Sequence, residues 1–172
     1  MSNMNTLEID DKDMKILKIL SLDSRLSFRQ IAKKTGLSVS TVISRIRKLE
    51  NLGVIKRYTV EIDLERLGFR LPVIIDIRVL RGKLFAVEEE IAKHPNVLAV
   101  YDITGDYDVA VYAVFRERKE LDRFVKMLQR MKYVERTHTK LVLNIVKDSR
   151  GLPLEMETIK WSYNSARNFF PF

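Results

Sequence analysis

Ser27, Gly36 and Ser38 leave the stretch between residues 27 and 53 little choice but helix, tight turn, helix. Ser27 stands ready to cap a segment that carries Phe28, Ile31 and Ala32 on its apolar side. Thr35-Gly36-Leu37 stops that segment, because glycine supplies the left-handed conformation a helix C-terminus needs. Ser38 caps a longer run in which Val39, Val42, Ile43, Ile46, Leu49 and Leu52 recur at helical spacing, and Gly53 closes it. A further helix precedes the pair. Asp10 suits its N-cap, Asp13 its third position, and Met14, Ile16, Leu17, Ile19 and Leu20 form a broad apolar face. After Gly53, residues Val54 to Ile62 alternate and read as a strand.

The charge of the chain sits on this same scaffold. Residues 24 to 58 hold nine basic side chains against one acidic, Glu50, so the window alone accounts for the net charge of +8. The rest balances at 22 basic against 22 acidic residues. A local excess of this kind attracts a polyanion, since each neutralised phosphate releases condensed counterions. On a helix-turn-helix scaffold the expected polyanion is duplex DNA.

A second pattern follows an expected hinge at residues 63–70, where composition shifts around Gly68 and Pro72. Strand Val73 to Leu80, helix Leu84 to Lys93 and strand Val97 to Ile103 form one unit. Strand Val109 to Phe115, helix Glu120 to Met131 and strand Val134 to Val146 repeat it. The doubled order predicts a ferredoxin-like βαββαβ sandwich, and with the first domain an α+β fold. The expected division is a DNA-binding domain over 1–62, the hinge, a sandwich over 71–148 and an extension over 149–172. The strands are apolar on both faces: Val109, Val111, Ala113 and Phe115 line one, Ala110, Tyr112 and Val114 the other. Helices cover one face only, so the other predicts a second copy of the chain. The extension carries Trp161, Tyr163, Phe169, Phe170 and Phe172, aromatics that suit a strap on a neighbouring subunit.

Composition removes several classes. At 46% apolar and 31% charged with mixed sign, the chain is neither disordered nor membrane-spanning in character. There is no cysteine, hence no disulfide, thiolate nucleophile or zinc ribbon, which fits a cytoplasmic setting. No secretory signal is expected. Only His94 and His138 are available to catalysis, and no two glycines lie closer than fourteen residues, so Gly-rich phosphate loops are excluded and no enzyme, metal or cofactor is expected. His94, before Pro95 near a helix end, is expected to favour the helix dipole there.

The candidate DNA contacts lie on the helix that Ser38 opens. Ser38, Ser40, Thr41 and Ser44 permit close approach to bases or phosphates, Arg45 or Arg47 suits guanine, and Lys48 suits a phosphate. Ser27 and Gln30 at the preceding helix start offer backbone amides to a second phosphate, or serve as ordinary caps.

Asp10-x-x-Asp13-x-x-Ile16-Leu17, Arg25-Leu26-Ser27, Gly36-Leu37-Ser38, Val42-x-x-Arg45-Ile46-x-x-Leu49, Gly53-Val54-Ile55-x-x-Tyr58 and Gly105-Asp106-Tyr107-Asp108 occur in one order. Over residues 7 to 147 the chain thereby resembles the Lrp/AsnC (leucine-responsive, feast/famine) transcription regulators. The resemblance implies a winged helix-turn-helix-like domain, a ligand-binding sandwich, and dimers that assemble further, commonly to octamers. It implies an amino acid or related effector near Gly105, Asp106, Tyr107 and Asp108, with Thr137 and Thr139 approaching the same site. The residues agree in part: Gly105 frees backbone amides for a carboxylate, Asp106 and Asp108 suit an ammonium group, and Tyr107 can wall a pocket. A plain hairpin turn uses the same residues. The expected function is therefore a sequence-specific, effector-modulated transcriptional regulator. The alternatives are an architectural DNA-compacting protein and a siroheme-decarboxylase-like enzyme using His138 between Arg136 and Lys140.

Overall fold

The structure is a computed structural model that describes residues 9–148 and Leu152, in two compact units, the chain passing from the first to the second between Val60 and Glu61. Apart from Leu152, the 149–172 extension with its five aromatics lies outside the described residues.

The first unit holds α1 (Asp11–Leu22), α2 (Phe28–Thr35) and α3 (Val39–Asn51). Each starts where its cap dictates. The Asp13 amide donates to Asp10 Oδ1 at 2.9 Å while the Asp10 amide donates to Asp13 Oδ2 at 3.3 Å, a reciprocal capping box. Ser27 and Gln30 close the same box on α2. Gly36, at φ 73°, ends α2 in the left-handed region, its amide donating to the Ala32 carbonyl at 2.9 Å. The three helices bury Ile16, Ile31, Ala32, Val42 and Ile46 against one another. Each large aliphatic among them contributes roughly 1.5–3 kcal/mol by leaving water.

The strand expected over Val54 to Ile62 is not formed. Val54 and Ile55 fold back onto the end of α3, both amides donating to the Leu49 carbonyl. Beyond them Tyr58, Val60 and Ile62 are exposed, and Tyr58 donates to Glu50 Oε1 at 2.8 Å. Alternation alone does not make a strand; it needs a neighbour to complete the ladder, and among the described residues this segment has none.

The second unit runs β1 (Leu71–Val79), α4 (Leu84–Ala92), β2 (Val97–Asp102), β3 (Val109–Phe115), α5 (Arg118–Arg130), β4 (Val134–Leu141). The last strand stops at Leu141, short of the expected Val146. The sheet is antiparallel throughout, in the order β2-β3-β1-β4, so each of the two strand-helix-strand halves straddles a strand of the other. Val73, Ile75 and Ile77 of β1 and Val109, Val111, Ala113 and Phe115 of β3 are wholly buried with Val87 and Ile91 of α4 and Phe124 and Leu128 of α5. The opposite sheet face carries Ile74 and Tyr101, both exposed, the half-buried Ala110 and Tyr112, and the buried Val114.

Candidate nucleic-acid interface and small-molecule site

Two residue sets carry the chemistry, one in each unit. On α3 the core takes Val42, Ile46 and Leu49. Ser40, Ser44 and Arg47 are exposed and follow one another at the four- and three-residue spacing that aligns side chains along a helix. Among the described residues no acidic group pairs with Arg47. The hydroxyls nearer the helix start serve local bonds. Ser38 Oγ accepts from the Thr41 amide at 3.1 Å and lies 2.9 Å from Ser40 Oγ and 2.7 Å from Thr41 Oγ1. Ser44 Oγ donates to the Thr41 carbonyl at 3.0 Å. Ser27 and Gln30 likewise spend their side chains on each other, Ser27 Oγ donating to Gln30 Oε1 at 2.8 Å.

Arg45 and Lys48 do not join the exposed stripe. They turn toward α1, where Arg45 Nη1 donates to both Asp10 oxygens at 2.7 Å and to Asp13 Oδ1 at 2.9 Å. Lys48 Nζ donates to Asp13 Oδ2 at 3.0 Å. Asp13 is fully buried, while the Arg45 and Lys48 side chains keep 20% and 40% of their exposure. Burial alone raises the Asp13 carboxyl, yet the hydrogen bonds from Lys48 and Arg45 outweigh it and hold it below the ordinary aspartate value. The hydrogen bond from Arg45 lowers Asp10 as well. Lys56 and Arg57, expected on a strand, lie on the exposed irregular segment instead.

The second set surrounds the Gly105–Asp108 turn. Gly105 has a φ of 117°, which only glycine adopts without strain. Asp108 is tied inward: its Oδ2 accepts from the Val79 amide at 2.8 Å and stands 3.7 Å from Arg78 Nε. Arg78 Nη1 also donates to the carbonyls of Asp106 at 2.9 Å and Gly105 at 3.4 Å, which fastens the turn to β1. Arg78, Asp106, Glu135 and Arg136 line an open pocket of about 440 Å³. Tyr107 borders it with its ring 6.1 Å from His138 and 4.9 Å from the Arg136 guanidinium.

Strand register sorts the β4 residues by face. Thr137 stands opposite Ile77 and Thr139 opposite Ile75, on the helix-covered side with those buried isoleucines. Arg136, His138 and Lys140 alternate onto the open side, opposite Arg78, Asp76 and Ile74. There Asp76 pairs with Lys140 at 2.5 Å and lies 3.9 Å from His138 Nδ1. Arg78, Glu135 and Arg136 were absent from the sequence-derived set. The alternation of basic residues at 136, 138 and 140 was the signal for Arg136.

His94 behaves otherwise than its place near a helix end suggests. Its Nδ1 accepts from the Asn96 amide at 3.3 Å, its ring packs 4.5 Å from that of Phe124, and burial pushes its pKa down. A neutral imidazole filling a wall beside Phe115 and Phe124 fits these contacts, not a cation on a helix dipole.

A helix-turn-helix unit followed by a βαββαβ unit defines a transcriptional regulator with separate DNA-binding and ligand-binding modules. Residues 9–56 match the model for winged helix-turn-helix DNA-binding domains, and residues 72–152 match the Lrp/AsnC ligand binding domain. The chain belongs to the Lrp/AsnC family of HTH-type transcriptional regulators. It is 47% identical over 142 residues to an uncharacterised HTH-type transcriptional regulator of Pyrococcus furiosus, covering 83% of this chain and 96% of that one. It is 41% identical over 147 residues to the HTH-type transcriptional regulator FL11 of Pyrococcus horikoshii, covering 86% and 97%. Among solved structures it is similar to a transcriptional regulator of Neisseria meningitidis in complex with L-Met, with a TM-score of 0.78 and 26% identity, covering 84% and 96%.

Proposed function

We propose that the protein regulates transcription by placing the exposed stripe of α3 in the major groove of duplex DNA, under the control of an amino acid or related small molecule bound at the Gly105–Asp108 turn. It acts in the cytoplasm as a homodimer that assembles further. The observation that carries the reading is the stripe itself: Ser40, Ser44 and Arg47 lie exposed along the second helix of a helix-turn-helix, within the window that holds the chain's whole excess of positive charge. Small hydroxyls allow the helix to approach, and Arg47 presents a guanidinium that matches the two acceptors of guanine. A dimer then presents two such helices, so its half-sites fall about one helical turn, roughly 10 bp, or a multiple of it, apart.

Support for the effector comes from two sides. The Neisseria regulator to which the chain is similar was solved with L-Met. Here, the 440 Å³ pocket offers guanidinium groups to a carboxylate and the Asp106 and Glu135 side chains to an ammonium group. Asp108, already satisfied by Val79 and Arg78, holds the turn.

The test is a duplex-binding titration of wild type and Arg47→Ala on a site recovered from a random duplex pool. Loss of the guanidinium should cost about 1–3 kcal/mol on that site and relax preference at one base position. Unchanged affinity and unchanged preference at matched salt would overturn the role of the stripe.

A further inference from the structure

The cluster of Asp10, Asp13, Arg45 and Lys48 does more than join two helices. Two of the cations on the helix expected to enter DNA are neutralised within the protein by two carboxylates of another helix. Arg45 is the more fully committed, with three hydrogen bonds to carboxylate oxygens at 2.7–2.9 Å and its Nε buried. Its neighbour Arg47, one position past the buried Ile46, is exposed.

The distinction matters because cations on a DNA-facing helix do two different things. A cation free to meet phosphate adds affinity for every sequence alike, through counterion release. A cation that meets a base edge adds affinity for one sequence. Specificity is the ratio of the two, and it falls when loose cations raise the sequence-independent part.

We propose that Asp10 and Asp13 determine the DNA specificity of α3 by withdrawing Arg45 and Lys48 from the phosphate backbone, which leaves Arg47, Ser40 and Ser44 to read the groove. The inference rests on the reading of α3 as the DNA-contacting helix. It assigns the two acids a role at the interface although neither touches DNA: they are positioning residues that set which charges the helix presents.

Asp10→Asn is the incisive variant. Asparagine caps a helix about as well as aspartate, so α1 keeps its start. The Asp10 side chain is half exposed, so the core is undisturbed. The change removes the negative charge of Asp10 and one of the two acceptors by which it holds Arg45. Full-length wild type, Asp10→Asn and Arg47→Ala are titrated across a salt series on a duplex selected from a random pool and on its scrambled counterpart. Asp10→Asn should bind the scrambled duplex more tightly, with a salt slope steeper by about 0.9, one phosphate's worth of counterion release. That slope makes the gain roughly three- to fourfold larger at 50 mM than at 200 mM salt, and the ratio of selected to scrambled affinity should fall. The gain should vanish when Arg45 is also changed to Gln, because the freed guanidinium is then absent.

A purely structural role for Asp10 would weaken binding to both duplexes and leave the slope alone. That outcome overturns the proposal, as does an equal gain in the Arg45→Gln background, which would assign the effect to the Asp10 charge by itself. In either case Arg47→Ala still loses affinity for the selected duplex, and the DNA-binding reading stands. If wild type binds neither duplex, or Arg47→Ala matches it on both, the reading of α3 falls and takes this inference with it.

Discussion

Asp13 has no exposed surface and two cationic partners. A lone carboxylate in that position would be pushed toward neutrality, and it stays charged because Arg45 and Lys48 each bring a donor within 3.0 Å. Removing it leaves Arg45 to Asp10 and takes from Lys48 the carboxylate it donates to. Asp13→Ala should destabilise the first unit by about 2–3 kcal/mol, less than the full penalty for a buried pair because both cations retain some solvent. Chemical denaturation of the two proteins at neutral pH checks the difference. Since the folded pKa of Asp13 lies below its unfolded value, the contribution is complete above about pH 4 and is lost as pH falls through the folded value. Acid titration should therefore narrow the gap between wild type and Asp13→Ala. A gap that widened on acidification would contradict the sign. The Arg45 guanidinium shows what sequence reading resolves at this scale and what it does not. Helical periodicity separated the core face of α3 from the rest, but residues 45 and 47 both fall outside the apolar set, so periodicity could not say which one meets solvent. The matching three-residue spacings, Asp10 to Asp13 and Arg45 to Lys48, were the available sign that two acids of one helix meet two bases of another.

At the scale of elements, the helix-turn-helix depends on the reversal between α2 and α3, and that reversal depends on Gly36. Its φ of 73° is one that side chains adopt at a cost, and the space around it is open. Gly36→Ala should consequently cost about 1–2 kcal/mol from backbone strain without any clash. Thermal melting of the variant should show a lower midpoint with the helix content of the native state retained. An unchanged midpoint would remove the conformational argument. The elements were legible where a local rule fixed them, as with Asp10, Ser27 and Ser38, whose capping chemistry is complete within three residues. They were less legible where the outcome lay outside the segment. Val54 to Ile62 alternates as a strand does, yet a strand is a pairing, and no described strand reaches it. Thr137 and Thr139 turned on parity: a register read one residue differently exchanges them with Arg136 and His138.

At the scale of the whole molecule, the open sheet face of the second unit asks for a partner. Ile74 and Tyr101 are exposed there beside Ala110, Tyr112 and Val114, while α4 and α5 cover the opposite face. A second copy of the chain provides an identical apolar surface, and the proposed dimer uses it. Ile74→Lys should weaken that association at least about tenfold, since an ammonium buried opposite the like charge of Lys140 costs more than 1 kcal/mol. Sedimentation equilibrium reads the result as a shift toward the monomer mass. A mass equal to that of wild type at all concentrations would move the interface elsewhere.

Faces and edges present different hazards to a protein of this kind. A face met by its own copy is used up once the pair forms, whereas a bare strand edge can recruit chain after chain without limit. Among the described residues, the order β2-β3-β1-β4 leaves such edges on β2 and β4. Each is defended by different means: β4 carries Arg136, His138 and Lys140 along its length, and β2 is short and breaks register between Val97 and Ala99. Both edges of the sheet thus carry a device against open-ended pairing.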